Sequence, residues 1–176
     1  MPLVSRTSKS HKAMKKKINI IVAKVFPTTH KRHGELTHFA AKIVNGDKLH
    51  TIRTNYDLWA VNAEKMRTGR YVLSVRQWVG KPRQLKQHEV FNTEEEIGVE
   101  HISMRYFANT DGLQMVVENR QLTQSEIEQL VKNDGTNIDD FKDWFFGRQR
   151  HREDATFTGV IVHFTSARYA DASALI

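Results

Sequence analysis

The chain has 176 residues, a length for one domain, and 39% of them are hydrophobic, enough to build a core. It contains no cysteine, which excludes disulfides, a thiolate metal site and a cysteine nucleophile. No run approaches the ~18 apolar residues of a membrane span, and no apolar stretch of a secretory signal opens the sequence, so a cytoplasmic protein without a membrane partner is expected.

The formal net charge is +7, and it is unevenly spread. Residues 1–17 carry six basic side chains (Arg6, Lys9, Lys12, Lys15, Lys16 and Lys17) and no acid. They read as a basic, disordered, solubilising tail ahead of one domain over residues 18–176. From Ile18 to Val90 there are 13 basic and 5 acidic residues, and from Phe91 to Asp154 there are 7 basic and 14 acidic. A basic half of this kind can present a field to phosphates, and a solvated mixed surface is the plainer alternative.

In chain order, "INIIVAKVF" is a β-branched run that reads as a buried strand ended by Pro27. Thr37 can cap a short helix through Asn45, with Gly46 as its stop. "KLHTIRTNY" reads as extended, and residues 57–68 fit no clean period. "GRYVLSVRQWVGKPRQLKQHEVF" reads as a hairpin turning at Gly80 to Arg83. In "VEHISMRYF", Ile102, Met104 and Tyr106 alternate with polar residues, and "LQMVVENRQL" is strand-like after Asp111-Gly112. Thr123 and Glu126 form a capping box for one helix, which Gly135 ends. Asn137 caps a second, with Ile138, Phe141 and Phe145 inward and Gly147 at its end. "ATFTGVIVHFT" closes the chain as a buried strand. Strands dominate the middle without βαβα alternation, so an α+β domain on a curled sheet or small barrel is predicted.

Three groups of residues have the chemistry of a site. In a strand Thr51 and Arg53 share a face, and Lys48 in the preceding turn can swing toward them. A threonine hydroxyl becomes a nucleophile only beside a base, such as a lysine desolvated enough to be neutral. The plain alternative is a helix-end lysine and a solvated strand face. Arg76 and Trp78 share a face of the hairpin, with Lys81, Arg83 and Lys86 beyond, a set that can contact phosphates and stack a base. A partly buried Trp78 is the alternative there. His30, His33, His38 and His50 fall within 21 residues, but their spacing matches no zinc pattern, so no metal is expected. No glycine-rich phosphate loop is present, and no cofactor is expected.

The order of these parts, with "GDKLHTIR" at its sharpest point, resembles the ASCH domain of the PUA-like superfamily over roughly Ile18 to Tyr169. "HTIRTNYDLW", "SVRQWVGKP" and "DDFKDWF" with "VIVHFTSARY" look like a branch of ASCH-like proteins from bacteria and their phages. The resemblance implies a small β-barrel of about five or six strands flanked by helices, with a cleft beside the glycine turn. It implies RNA or a modified nucleoside as partner, in a cleft lined by Lys48, Thr51 and Arg53. Some small bacterial members are amidohydrolases that remove the acyl group from acylated cytidine with a lysine, a threonine and a glutamate. Lys48 and Thr51 stand at the first two positions, and Asp134 falls where the glutamate would be. Aspartate is one methylene shorter, and such a loss of reach can cost ~100-fold in rate.

Overall fold

The computed structural model describes residues 14–81, 83–95 and 97–171. The elements are β1 (Lys16–Ile21), α1 (Phe39–Val44), β2 (His50–Arg53), α2 (Tyr56–Arg67), β3 (Tyr71–Val79), β4 (Lys86–Thr93), β5 (Val99–Phe107), β6 (Gly112–Val117), β7 (Arg120–Gln121), α3 (Gln124–Asn133), α4 (Ile138–Phe146) and β8 (Ala155–His163). This is the α+β chain that the strand-rich middle predicts.

The strands form two sheets, one of three in the order β1-β3-β4 and one of five in the order β2-β8-β5-β6-β7. Among the described residues no ladder joins the two sheets, so the eight strands differ from the predicted single barrel. The reason lies in the pairing. β1 runs parallel to β3, while β2 pairs with β8 alone, so each sheet ends on a short strand that has no neighbour beyond it.

One apolar core nevertheless spans both sheets. Ile18, Ile20, Leu73 and Val75 of the smaller sheet meet Val160 and Val162 of the larger, with Phe39, Ile43, Trp59 and Met66 from α1 and α2. A second core lies between the larger sheet and α3 and α4, built from Ile102, Met104, Tyr106, Met115, Leu130 and Phe141.

Residues 1–13 of the expected tail lie outside the described residues. Lys16 and Lys17 belong to β1, so the strand starts two residues before the predicted boundary. Their neighbours explain it. Lys15, just before the strand, pairs with Glu94 at 2.6 Å and Lys17, within it, with Glu89 at 2.7 Å, so the charge run ends in ion pairs at an edge strand.

The region without a clean period is α2. Trp59, Asn62, Ala63 and Met66 are its inner face, at helical spacing, while Leu58 and Val61 point outward. Asn55 caps it, accepting from Leu58 N at 3.0 Å. At α1 the cap position falls on His38 in the left-handed region, while the Thr37 hydroxyl accepts from Phe39 N, the first amide of the helix, at 3.3 Å and donates to the Ala23 carbonyl at 2.7 Å. The capping box of Thr123 and Glu126 on α3 and the Asn137 cap on α4 are present as the sequence predicts. Gly147 serves close approach, since a Cβ there would meet the carbonyl oxygens of Asp143 and Thr29 at 2.5 Å.

Candidate functional site

Two local features bring the site together. Gly46 takes a φ of 80° after α1, and the Asp47 and Lys48 amides both donate back to the Lys42 carbonyl, at 2.7 and 3.0 Å. That folds Lys48 inward at the entry to β2. Leu49 N then donates to the Asn133 carbonyl at 2.7 Å and Phe164 N donates to the Leu49 carbonyl at 2.8 Å, tying the start of β2 to the end of α3 and to β8. Asp134 is the C-cap of α3, so the helix delivers its carboxylate to the same point.

The result is a buried ion pair. Lys48 Nζ lies 2.8 Å from Asp134 Oδ1, and the two side chains are 1% and 11% exposed. Nζ also donates to the Asp134 carbonyl and sits 4.3 Å from the centroid of the Phe39 ring. Such a pair is rare in an interior, because each ion loses its hydration and recovers it only from the other. Burial pushes the Lys48 ammonium down and the Asp134 carboxyl up, with each partner opposing the other's shift. Each shift narrows the gap between the two proton affinities while the ion pair holds, and a lysine weakened in this way can give up its proton and act as a base once a ligand parts it from the carboxylate.

Thr51 and Arg53 line the same small cleft, with Val22, Ala23, Phe39, Ile52, Trp144 and Phe145. Arg53 Nη1 donates to Thr51 Oγ1 at 2.7 Å and to the Ile52 carbonyl at 2.8 Å, and Nη2 donates to the Ile21 carbonyl. Burial lowers the Arg53 guanidinium, and the Asp134 charge opposes that. The cavity is about 30 Å³, close to the volume of one water, so a nucleobase enters only if side chains move. The sequence-predicted Lys48, Thr51, Arg53 and Asp134 are thus together, although Lys48 contacts Asp134 and Thr51 contacts Arg53.

The other predicted set is elsewhere. Arg76 is the partner of Ile21 across β1 and β3 and donates from Nη2 to the Gln87 carbonyl at 3.0 Å, while its Nε is buried without a partner. Trp78 is 44% exposed, and Lys81 and Arg83 are exposed beyond it, Arg83 with a φ of 69°. None of these four lines the Lys48 cleft. Much of the basic half meets the acidic half: Arg32 pairs with Asp140 at 2.7 Å and Lys31 with Asp143 at 3.4 Å, besides Lys48 with Asp134.

The four clustered histidines separate in space. His30 stacks on Phe26 at 4.2 Å and donates from Nε2 to the Asp140 carbonyl at 3.0 Å, with Nδ1 accepting from Arg32 N. His33 and His38 are exposed, and His50 is fully buried. Among the described residues no group of three or more His, Asp and Glu side chains is placed to hold a metal ion. No helix among them is long and apolar enough to cross a membrane.

Sequence reasoning missed the polar residues behind the cleft, His50, Asn133 and Tyr169. A signal was available: His50 lies inside "GDKLHTIR" itself, two residues from Lys48 and beside Thr51. No protein-family model, curated protein or solved structure matches the chain.

Proposed function

We propose that this chain is an ASCH/PUA-like domain that binds RNA or a modified nucleoside in the cleft of Lys48, Thr51, Arg53 and Asp134. The observation that carries the reading is the Lys48 side chain, folded away from water onto Asp134 in a cleft that Thr51 and Arg53 also line. A solvated helix-end lysine would have its ammonium in bulk water. The core shared by the two sheets supports the PUA-like part of the reading, as an opened relative of the barrel. Arg53 and Lys48 supply donors for carbonyl or phosphate oxygens, and Trp144 and Phe145 supply aromatic wall for a base.

The second reading is an amidohydrolase acting on acylated cytidine, and the desolvation of Lys48 favours it. Thr51 Oγ1 would bond to the acyl carbon while its proton passes to neutral Lys48 Nζ. The bond to the cytosine amine would then break, with Lys48 returning the proton to the leaving nitrogen. Water would then add to the acyl carbon, giving a proton to Lys48, and Lys48 would pass that proton to Thr51 Oγ1 as the ester bond breaks and the free acid leaves. Asp134 orients the lysine and tunes its basicity.

The test is titration with cytidine, acylated cytidine and a short single-stranded RNA, followed by isothermal calorimetry, with acid release measured in parallel. Wild type should bind, and Lys48→Met and Arg53→Ala should lose the two nucleosides and weaken the RNA. Acid release that disappears in Thr51→Ala selects the enzyme. Binding without acid release selects the module. No binding of any of the three ligands would remove the reading.

A further inference from the structure

Behind the cleft runs a line of polar side chains that the reading above leaves unused. Gln129 and Asn133, on the outer side, share a hydrogen bond of 2.7 Å between an amide nitrogen and an amide oxygen. Asn133 contacts the Tyr169 hydroxyl at 2.9 Å, and that hydroxyl lies 3.2 Å from His50 Nδ1. The other ring nitrogen, Nε2, lies 3.8 Å from Asp134 Oδ1. His50 has no exposed surface and Tyr169 is 1% exposed, yet Nε2 has no hydrogen-bond partner. A buried polar atom left alone is costly, and this one is aimed at the cleft's carboxylate.

Hydrogen-bond counting fixes which way the line donates. Running inward, Gln129 gives to Asn133, Asn133 to Tyr169 and Tyr169 to His50 Nδ1. The ring proton then sits on Nε2 and faces Asp134. Running outward, both amides are turned over, His50 gives from Nδ1 to Tyr169, and Nε2 turns a bare lone pair on a carboxylate oxygen. The outward order sets two acceptors against each other across 3.8 Å, a gap too short for a bridging water; the inward order sets an N–H against an anion.

We infer that His50 is a positioning residue of the cleft: neutral and protonated on Nε2, it is the second donor to Asp134, with its tautomer set by Tyr169 and Asn133. The inference rests on the reading of the cleft as a ligand site. Lys48 holds Asp134 Oδ1 at 2.8 Å in the structure as it stands. When a ligand draws Lys48 toward Thr51, the carboxylate loses that partner while it is still buried. A shift of under about an ångström brings His50 Nε2 to hydrogen-bonding distance, so Asp134 keeps its charge and its place. The groups facing the imidazole are Lys48 from the turn, Asp134 from the end of α3, Tyr169 from the C-terminal segment and His163 from β8, with 5.7 Å between the two imidazole centroids. Glu100 engages His163 through Nε2 at 2.6 Å. Burial above all, with His163 and Lys48 adding to it, pushes His50 well below its ordinary range and keeps it neutral.

The test uses the whole protein with nitrogen-labelled histidine, and imidazole correlation spectra that show which ring nitrogen holds the proton. The expected result is a proton on Nε2 and a bare Nδ1 across the pH range in which a free imidazole titrates. Tyr169→Phe removes the donor to Nδ1 and should give a mixture of tautomers. His50→Gln keeps an N–H near the same point and His50→Leu removes it. The Asp134 carboxyl should therefore titrate at higher pH in His50→Leu than in wild type or His50→Gln. Affinity for acylated cytidine should fall roughly ten-fold in His50→Leu, the size of one hydrogen bond to a charged group, and return in His50→Gln. A wild-type proton on Nδ1, or an Asp134 titration indifferent to His50→Leu, overturns the proposal. If His50→Leu does not fold, the tautomer in wild type and Tyr169→Phe decides alone. If the spectra come out as expected but wild type binds no ligand, the relay onto Asp134 stands and the ligand reading falls.

Discussion

Lys48 and Lys81 are the same side chain in opposite settings. Lys48 lies on Asp134 and against the Phe39 ring, out of water. Lys81 stands exposed at the tip of the β3–β4 hairpin near Trp78, which is 44% exposed. In the cleft, charge is held by a few fixed partners, and each of them is felt by the fold. At the hairpin, water does the solvating, and a change of side chain is felt only by whatever binds there. The contrast separates residues whose chemistry the fold has set up from residues that merely contribute to the +7 charge.

The sharpest way to break the comparison is Asp134→Ala. It strands the Lys48 ammonium in the interior, and removal of one partner of a buried pair costs about 3–5 kcal/mol. Denaturant unfolding should show that loss, partly relieved in Lys48→Met with Asp134→Ala, where the charge itself is gone. A single variant as stable as wild type would mean that Lys48 reaches water easily, and the cleft would then differ little from the hairpin.

Acid separates the two regions next. Burial lowers His163 from the ordinary histidine value of 6.5, and it lowers His50 further. The folded state therefore prefers these rings neutral, and the stability they contribute is present above pH 6.5 and drains away as pH falls below it. Glu100 adds to the same trend. Burial pushes its carboxyl up, but hydrogen bonds from His163, Tyr169 N and Ala170 N outweigh that and hold it low, so its contribution is lost as pH falls through its depressed value. On the other sheet, Lys17, Ser74 and Asn92 hold Glu89 at about 2 against a small opposing effect of burial. That contribution is whole above the ordinary carboxylate value of 4.5 and drains as pH falls from there toward 2, and it is small because Lys17 is half exposed. Unfolding midpoints followed from pH 8 to 5 should therefore fall in wild type and fall less in Glu100→Gln with His163→Phe, while Glu89→Gln leaves the slope of the curve unchanged over that window. An equal response of the two variants would show that the buried histidines do not govern acid stability.

What the sequence made legible divides along the same line. The caps of α3 and α4, the alternation of β5 and the apolar run of β8 are local patterns, and the structure has them. α2 was hidden because Leu58 and Val61 face outward and Asn62 faces inward, which blurs the helical stripe. The split into two sheets was hidden because it depends on which strands pair, and the parallel contact of Lys16 with Tyr71 leaves no mark on either residue. Lys48 and Thr51 were legible through "GDKLHTIR", and Asp134 only through the resemblance, since 86 positions separate it from Lys48. His50 was visible but was grouped with its neighbours in sequence, while its partner Tyr169 lies 119 positions away.

Thr51 lies between the two extremes. It is 4% exposed and accepts the Arg53 hydrogen bond at 2.7 Å, so Thr51→Ala should cost about 1 kcal/mol, more than a solvated strand threonine and far less than Asp134→Ala. A cost indistinguishable from zero would mean that Arg53 finds another acceptor at once.

The smallest effect on the fold belongs to the hairpin, and there it is most informative about partners. Lys81→Ala, Arg83→Ala and Trp78→Ala remove exposed side chains, so each should change stability by less than about 0.5 kcal/mol. If a single-stranded RNA lies across this face, the phosphate contacts are counterion-release contacts. The log of its affinity then falls with the log of salt concentration by about 0.7 for every phosphate neutralised. Lys81→Ala and Arg83→Ala should each flatten that slope by about this amount. Trp78→Ala should weaken binding by about 1–3 kcal/mol and leave the slope alone, because stacking releases no counterions. Lys48→Met should leave the slope alone as well, since an ammonium already held by Asp134 carries no counterion to release. Slopes that respond to Lys48→Met and ignore the hairpin variants would put the phosphate path at the cleft, and the two regions would exchange the roles assigned to them.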